Sequence, residues 1–200
     1  VRLGNGDGTF QSETTLATNA TFTTGVVTGD FNGDGRIDVM VAGYTAGGGG
    51  TAMLELFRGN GNGTFQSSFM SYTDDPLGQQ TGQMAVGDFN RDGKLDVVVG
   101  GNAALGNAVY LGSGTGNLSR SFSFGAGLTL NALVSGDFNG DGITDFAASS
   151  TGSSSLSAYF GRSSGSLSSV SLTAAGSITD LVIGDLNRDG YADIGAVNGS

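Results

Sequence analysis

Apolar residues along the chain occur in short stretches of strand length and lack the spacing of an amphipathic helix. One stretch enters each acidic segment, as at Met84–Val86, and another leaves it, as at Val97–Val99. A third precedes a glycine-rich turn (Leu54–Phe57), and a fourth follows it with alternating apolar and polar residues (Leu118–Phe124). This pattern predicts four short strands in each repeating unit and no long helix.

Two motifs recur through the chain, one acidic and one rich in glycine. The acidic motif aligns without gaps in four copies, GDFNGDGRIDV, GDFNRDGKLDV, GDFNGDGITDF and GDLNRDGYADI, whose loops span residues 30–38, 88–96, 137–145 and 185–193. The glycine motif reads LGNGDGTF, RGNGNGTF, LGSGTGNL and FGRSSGSL. Four strands in a unit of about 48 residues predict an all-β fold, a β-propeller of four-stranded antiparallel blades, as one array over residues 1–200.

The composition of the chain limits the kinds of catalysis and binding that it could support. The chain has neither cysteine nor histidine, which excludes a disulfide framework, thiolate or imidazole catalysis and imidazole-bound metals. Its formal net charge is -10, and twelve of the 18 acidic residues lie in the four acidic loops. Such an acidic chain with a single lysine disfavours nucleic-acid binding. No apolar run approaches the roughly 20 residues of a membrane-spanning helix.

The acidic loops have the pattern of an oxygen-lined cation site. Positions 1, 3, 5 and 9 are Asp, Asn, Asp and Asp, position 6 is Gly, and position 7 varies in a way that suits a backbone carbonyl ligand. Clustered carboxylates repel each other by about 1 kcal/mol per pair in water, and hard oxygen ligands favour Ca²⁺ over Zn²⁺. The alternative is a metal-free Asx-rich turn, and four identical copies favour the metal. About four ions are expected, with ligands Asp30, Asn32, Asp34, Arg36, Asp38, Asp88, Asn90, Asp92, Lys94, Asp96, Asp137, Asn139, Asp141, Ile143, Asp145, Asp185, Asn187, Asp189, Tyr191 and Asp193.

The GDFNGDGxxDV core followed by a GNGDGTF turn resembles the FG-GAP or VCBS-type repeat, the unit of the integrin α-subunit propeller and of many secreted bacterial proteins. The resemblance implies a propeller that carries Ca²⁺ in the hairpin between the first two strands of each blade, and a secreted or cell-surface location. The sequence departs from the family pattern in two respects. The Gly-Ala-Pro element is missing, with only Phe160-Gly161 reproducing the Phe-Gly pair, and the chain has four units where family propellers usually have seven.

The two ends of the chain read as halves of a unit. Residues 1–19 supply the end of a third strand and a fourth strand, whereas residues 178–200 supply a first and a second strand. The ends could complete one shared blade and close a four-bladed ring, belong to a larger propeller, or be completed by an adjacent chain. The last two are favoured, because four blades lie at the lower limit for propellers and open strand edges would otherwise promote association.

The first full unit is longer than the others at residues 43–51 and 72–81, which belong to the rim opposite the acidic loops. Long loops on rigid scaffolds often bind partners. We therefore hypothesise that a surface for a protein or glycan ligand is marked by Tyr44, Tyr72, Asp74 and Asp75, with neutral loop variation as the alternative.

The expected function is an extracellular, calcium-binding, non-catalytic module for adhesion or recognition. A structural subunit of a surface array or filament is the second interpretation, and a polysaccharide-active enzyme the third.

Overall fold

The computed structural model describes residues 1–46, 51–67, 69–71, 82–101, 106–174 and 176–199, and for 69–71 only the backbone. All regular structure in these residues is β-structure, and none of it is a helix able to cross a membrane. The strands are β1 (Phe22–Gly29), β2 (Asp38–Tyr44), β3 (Ala52–Phe57), β4 (Phe69–Ser71), β5 (Met84–Gly87), β6 (Asp96–Val99), β7 (Asn107–Gly112), β8 (Leu118–Phe124), β9 (Leu130–Gly136), β10 (Asp145–Ser150), β11 (Ser155–Phe160), β12 (Ser168–Thr173), β13 (Ser177–Gly184) and β14 (Asp193–Gly199).

The strands form antiparallel sheets in chain order. Blade 1 is β1–β4, blade 2 is β5–β8 and blade 3 is β9–β12, and β13 with β14 forms a terminal hairpin. The register repeats from blade to blade, with Val39 opposite Phe57, Val97 opposite Tyr110 and Phe146 opposite Tyr159. The predicted all-β fold of four-stranded propeller blades is confirmed.

Burial explains the composition of each strand. The second strand of a blade lies in the middle of its sheet between neighbouring blades, and β6 and β10 are buried along their whole length. Such strands are continuously apolar or small because both faces are covered. The outer strands β8 and β12 are mostly exposed and rich in serine, as befits a blade edge facing solvent.

The hydrophobic core lies between the blades. Met40, Leu54 and Leu56 of blade 1 pack against Val97 and Tyr110 of blade 2. At the next junction, the Phe89 and Phe146 rings meet edge to face at 5.6 Å, and Phe146 stacks on Tyr159 at 4.7 Å. Each blade therefore depends on its neighbours for its core, as in other repeat proteins.

Residues 1–14, the N-terminal hairpin, have the geometry of a third and fourth strand. The N–H groups of Gln11 and Thr14 donate to the carbonyl oxygens of Leu3 and Val1, each at 2.8 Å. The bridge between Gly4 and Phe10 repeats that between Gly59 and Phe65 in blade 1. Among the described strands β14 pairs only with β13, so these sheets do not close into a ring.

Candidate functional site

Each acidic loop joins the first two strands of a unit, and the glycine turns join the third and fourth. Both features therefore lie on one rim of the array. In the first loop, the two carboxylate oxygens of Asp30 accept N–H bonds from Asp34 at 3.0 Å and Gly35 at 2.8 Å. The amide oxygen of Asn32 also accepts the Asp34 N–H, at 2.9 Å. The aspartates at position 1 of the other loops, Asp88, Asp137 and Asp185, likewise accept two backbone N–H bonds.

The position-5 carboxylates complete the winding of the loops. Asp34 Oδ1 accepts the N–H of Arg36 at 2.9 Å, and Asp92, Asp141 and Asp189 bind the N–H of the residue two positions on in the same way. A carboxylate oxygen with one such bond keeps a further lone pair. The loop oxygens are thus ordered by the backbone and still able to coordinate a cation.

The turn also requires left-handed backbone at positions 4 and 6. In the first loop these are Gly33 with φ 73° and Gly35 with φ 79°. Position 6 is glycine in every loop, which accounts for the glycine identified in the sequence pattern. Position 4 is Arg91 in the second loop, with φ 61°, and Arg188 in the fourth, with φ 64°.

The aspartate at position 9 has a second role that the sequence pattern did not reveal. Asp96 Oδ2 accepts the N–H of Phe89 at 3.0 Å, and its Oδ1 accepts the N–H of Gly112 at 2.8 Å. Asp38 and Asp145 make the same pair of bonds, and all three carboxylates are fully buried. We call this pair of bonds the carboxylate bracket. It ties the start of the acidic loop to the end of the third strand.

Electrostatics show that the loop carboxylates lie near one another. Burial raises the pKa of Asp96 to about 6, and its two backbone N–H donors oppose that rise. The negative charges of Asp92 and Asp88 raise this pKa further. Burial raises the pKa of Asp38 and Asp145 in the same way, with contributions from the acids of their own loops. Each of these loops therefore concentrates negative charge.

The donor set of a loop is mixed. Among the described residues, no three acidic side chains converge into a cluster that would hold a metal by itself. A loop instead presents two carboxylates, at positions 1 and 5, and one amide oxygen at position 3. This set suits a hard cation that also takes backbone carbonyls and water, as Ca²⁺ does. Lys94 and Arg36 partly offset the charge, lying 3.4 Å from Asp92 and 4.0 Å from Asp34.

Of the predicted partner residues, the structure places Tyr44 on the opposite rim, at the end of β2. The ring of Tyr44 stacks on that of Phe22 with centroids 5.0 Å apart. Tyr72, Asp74 and Asp75 lie outside the described residues. The predicted partner surface is thus represented by Tyr44 alone, and that prediction stays a prediction.

A serine-lined cavity of about 290 Å³ opens on this opposite rim, between the β8–β9 connection and blade 3. Its lining includes Ser149, Ser153, Ser157, Ser171 and Tyr159. Ser149 is 1% exposed, and its hydroxyl makes no hydrogen bond within the described residues. The sequence analysis did not identify this cavity, because scattered serines in strands and turns have no pattern that distinguishes them from ordinary solvent-facing residues.

The profile of the FG-GAP-like repeat family matches residues 1–41, 30–99, 88–148 and 137–196. The chain belongs to the FG-GAP-like repeat family. Three of these matches begin at a position-1 aspartate, Asp30, Asp88 or Asp137, so the FG-GAP unit is read from one acidic loop to just beyond the next. No curated protein sequence matches this FG-GAP chain.

The FG-GAP chain also resembles a solved structure. The crystal structure of the rhamnogalacturonan lyase YesW superposes with a TM-score of 0.56 at 17% sequence identity, covering 88% of this chain and 41% of the lyase. The FG-GAP chain thus spans about two fifths of that protein. At this identity the similarity shows the fold alone, and it supports the propeller arrangement of the blades.

Proposed function

We propose that this FG-GAP array is a calcium-stabilised, non-catalytic recognition module of a secreted or cell-surface protein, with a glycan as its ligand. The observation that carries the proposal is the common winding of the four acidic loops, in each of which the position-1 carboxylate accepts two backbone N–H bonds and the position-5 carboxylate accepts one. Bound Ca²⁺ would supply positive charge where the carboxylates at positions 1 and 5 are held close together. Four such ions would change the formal charge from -10 to -2, since -10 + 8 = -2.

The chain's own residues prepare the loops for this role. The position-1 and position-3 side chains hold the loop wound, and the bracket aspartate fixes the loop to the third strand. A cation bound to the loop therefore stabilises the hairpin and, through the bracket, the rest of the sheet. At a free concentration 100 times Kd, each site would contribute about 2.7 kcal/mol to the free energy of unfolding.

Titration calorimetry and thermal unfolding, each in Ca²⁺ and in EDTA, test the calcium proposal. We expect binding of about four ions and a higher Tm in Ca²⁺, with one site lost in Asp92→Asn. Glu13→Gln is the control, because Glu13 is an exposed acid outside the loops, paired with Arg2 at 3.1 Å. No binding at millimolar Ca²⁺, together with an unchanged Tm in EDTA, would contradict the proposal.

The serine-lined cavity supports a glycan as the ligand. The Ser149 hydroxyl is buried in the wall of the cavity without a partner, which costs about 1–3 kcal/mol, and it would bond a ligand hydroxyl by turning toward the cavity. The neighbouring serines and the hydroxyl of Tyr159, whose pKa is raised by burial, offer further neutral donors and acceptors. YesW, which this chain resembles in fold alone, is a rhamnogalacturonan lyase, and a polysaccharide is the ligand class that we propose by analogy with it.

A glycan array screen with and without EDTA, repeated with Ser149→Ala, tests this part of the proposal. We expect a bound glycan whose affinity falls in Ser149→Ala and is unchanged in Ser163→Ala, a control at an exposed serine of the fourth glycine turn. Binding that Ser149→Ala leaves intact would remove the cavity from the proposal. Absence of any bound glycan would overturn glycan recognition while leaving the calcium proposal to its own test.

A further inference from the structure

A groove of about 480 Å³ lies beside the serine-lined cavity, between the outer strands of blades 2 and 3. It is lined by residues 121–124 of β8, by residues 164–167 of the fourth glycine turn, and by Tyr159 and Ser169 of blade 3. Tyr159 also lines the cavity. The groove and the cavity therefore adjoin, and we call the two together the interblade cleft.

The interblade cleft follows one face of β12 from the rim of the glycine turns to the opposite rim. In the pairing of β11 with β12, Tyr159 lies opposite Ser169 and Ser157 lies opposite Ser171. Alternate residues of a strand point to the same side, so these four side chains share one face of the sheet. The hydroxyls of Ser157 and Ser171, which line the cavity, are 3.4 Å apart. The groove and the cavity thus have one continuous floor of neutral hydroxyl groups.

Aromatic rings form the deeper part of the cleft. The ring of Phe124 lies 4.9 Å from that of Tyr159, and Tyr159 stacks on Phe146 at 4.7 Å. Phe122 and Tyr159 are half-buried, so parts of their rings remain open to a ligand. A sugar ring suits such a surface, because its C–H faces pack on aromatic carbon while its hydroxyls bond the neighbouring serines.

The wall of the cavity is held by the fully buried side chain of Asn107 in β7. Its amide nitrogen donates to the carbonyl oxygens of Gly125 at 3.2 Å and Leu128 at 3.3 Å. Its amide oxygen accepts the N–H of Gly101 at 3.0 Å. Gly125 and Leu128 belong to the β8–β9 connection and line the cavity. Asn107 thus positions this wall before a ligand binds, which lowers the cost of ordering the site.

The junction between blades 1 and 2 is filled differently. There Leu54 and Leu56 of β3 pack against blade 2. The corresponding residues of β7, at the junction with blade 3, are Asn107 and Val109. Where the first junction has two leucines, the second has a polar side chain and a smaller apolar one, and the cleft opens beside them.

The described lining of the cleft carries no charge at neutral pH, since it consists of Gly, Ala, Leu, Ser, Phe and Tyr. Arg120 donates to Ser123 at 2.7 Å, but in the register of β8 it lies opposite Tyr110, on the face toward blade 1. Arg162 lines a separate cavity with Asp141. A carboxylate brought into the cleft would lose water without a cation in the lining to pair with, which costs free energy.

We propose that the interblade cleft binds an uncharged oligosaccharide, with one end of the chain in the cavity and the rest along the groove. This inference rests on the glycan proposed above as the ligand, and it adds the charge and the length of that glycan. The neutral lining disfavours a uronate, and the continuous floor offers hydroxyl groups and aromatic surface to more than one sugar.

Titration calorimetry in Ca²⁺, guided by the glycan array, tests the charge and the length. The probes are glucan, galactan and mannan oligosaccharides from disaccharide to hexasaccharide, with oligogalacturonides of the same lengths. We expect the tightest binding in a neutral series, whose affinity rises about tenfold or more from disaccharide to hexasaccharide. The oligogalacturonide should bind more weakly than that neutral oligosaccharide at every length.

Two substitutions in β12 separate the parts of the cleft, and both are at exposed serines, so the variants should fold. Ser171→Leu fills the cavity and should weaken binding at every chain length. Ser169→Leu fills the groove and should keep disaccharide binding while removing the gain with chain length. Ser163→Leu, at an exposed serine that lines neither part, is the matched control and should bind as the unmodified chain does. Circular dichroism and thermal unfolding check the fold of all three.

The outcomes separate this inference from glycan recognition itself. Equal affinity for disaccharide and hexasaccharide, tightest binding of an oligogalacturonide, or full binding by Ser171→Leu would overturn the inference and leave glycan recognition standing. A gain with chain length that persists in Ser169→Leu would do the same. Absence of binding by every probe would overturn glycan recognition and this inference with it.

Discussion

The buried carboxylate of Asp96 accepts two backbone N–H bonds from segments far apart in the sequence, at Phe89 and Gly112. Replacing Asp96 with Asn removes one acceptor oxygen and places an N–H₂ group against a backbone N–H. An unsatisfied buried donor costs about 1–3 kcal/mol. We expect Asp96→Asn to lower the free energy of unfolding by about that amount in EDTA, measured by urea denaturation.

Asp92 provides the comparison for Asp96, because its exposed carboxylate binds one N–H within its own loop, that of Lys94. Asn at position 92 keeps an oxygen able to accept that bond. Asp92→Asn should therefore change stability in EDTA much less than Asp96→Asn and should act mainly on the response to Ca²⁺. Equal losses in EDTA would show that the bracket has no special structural role.

The raised pKa of Asp96 predicts a pH dependence of the metal-free chain. Its ordinary value is 3.8 and its value in the folded chain is about 6. The folded state therefore binds this proton more tightly than the unfolded state. The resulting contribution to stability is fully present below about pH 4 and is lost as the pH rises through 6. Burial also raises the pKa of Asp38 and of Asp145, so both carboxylates affect stability in the same direction as Asp96.

Urea denaturation in EDTA at several pH values between 4 and 7 should thus show stability falling as the pH rises. Added Ca²⁺ should reduce this fall, because a cation favours the ionised carboxylates. Asp96→Asn cannot titrate at this position and should have a shallower pH dependence. Stability that rises across this pH range in EDTA would contradict the prediction.

At the scale of elements, a glycine at the end of the third strand, or within two residues after it, packs against the acidic loop of each blade. A Cβ on Gly112 would clash with the carbonyl oxygen of Leu95, and one on Gly161 would lie 2.5 Å from the carbonyl oxygen of Thr144. The bare backbone is needed for the strand end to approach the loop and donate its N–H to the bracket. Loop and glycine turn thus form a single structural unit in each blade.

Gly112→Ala should consequently destabilise the chain by about 1–3 kcal/mol, the usual cost of forcing extra volume into a packed site. Thermal or urea unfolding measures the loss. Gly184→Ala is the control, because its Cβ would have room and its φ is not left-handed. A comparable loss in both variants would mean that replacing a strand glycine, and not the contact with Leu95, causes the effect.

The strand pattern could be predicted from the sequence because each strand has its own run of apolar or alternating residues. The wound acidic loops could be predicted because their side chains and Gly35 recur at fixed spacing. The carboxylate bracket could not be predicted, because Asp96 binds backbone N–H groups, which have no sequence signature. One of these groups lies 16 residues away. The serine-lined cavity was missed for a similar reason, because the burial of Ser149 depends on chain segments packed around β10, which no local pattern encodes.

At the scale of the whole molecule, stability depends on position along the array. Strands in the middle blades have neighbours on both faces, so Val97, Val98 and Phe146 are fully buried. The terminal hairpin packs on blade 3 through Ile178 and Leu181, and its other face is open at Val182 and Val197. In repeat arrays a terminal unit has fewer stabilising interfaces and opens more readily.

Hydrogen exchange should therefore divide the strands by position. At low protein concentration we expect the amides of β14 to exchange about tenfold or more faster than those of β6 and β10, because opening the terminal hairpin breaks a single interface. Equal exchange in β14 and β10 at low concentration would mean that the array unfolds only as a whole, with the terminal hairpin held as firmly as the central blades.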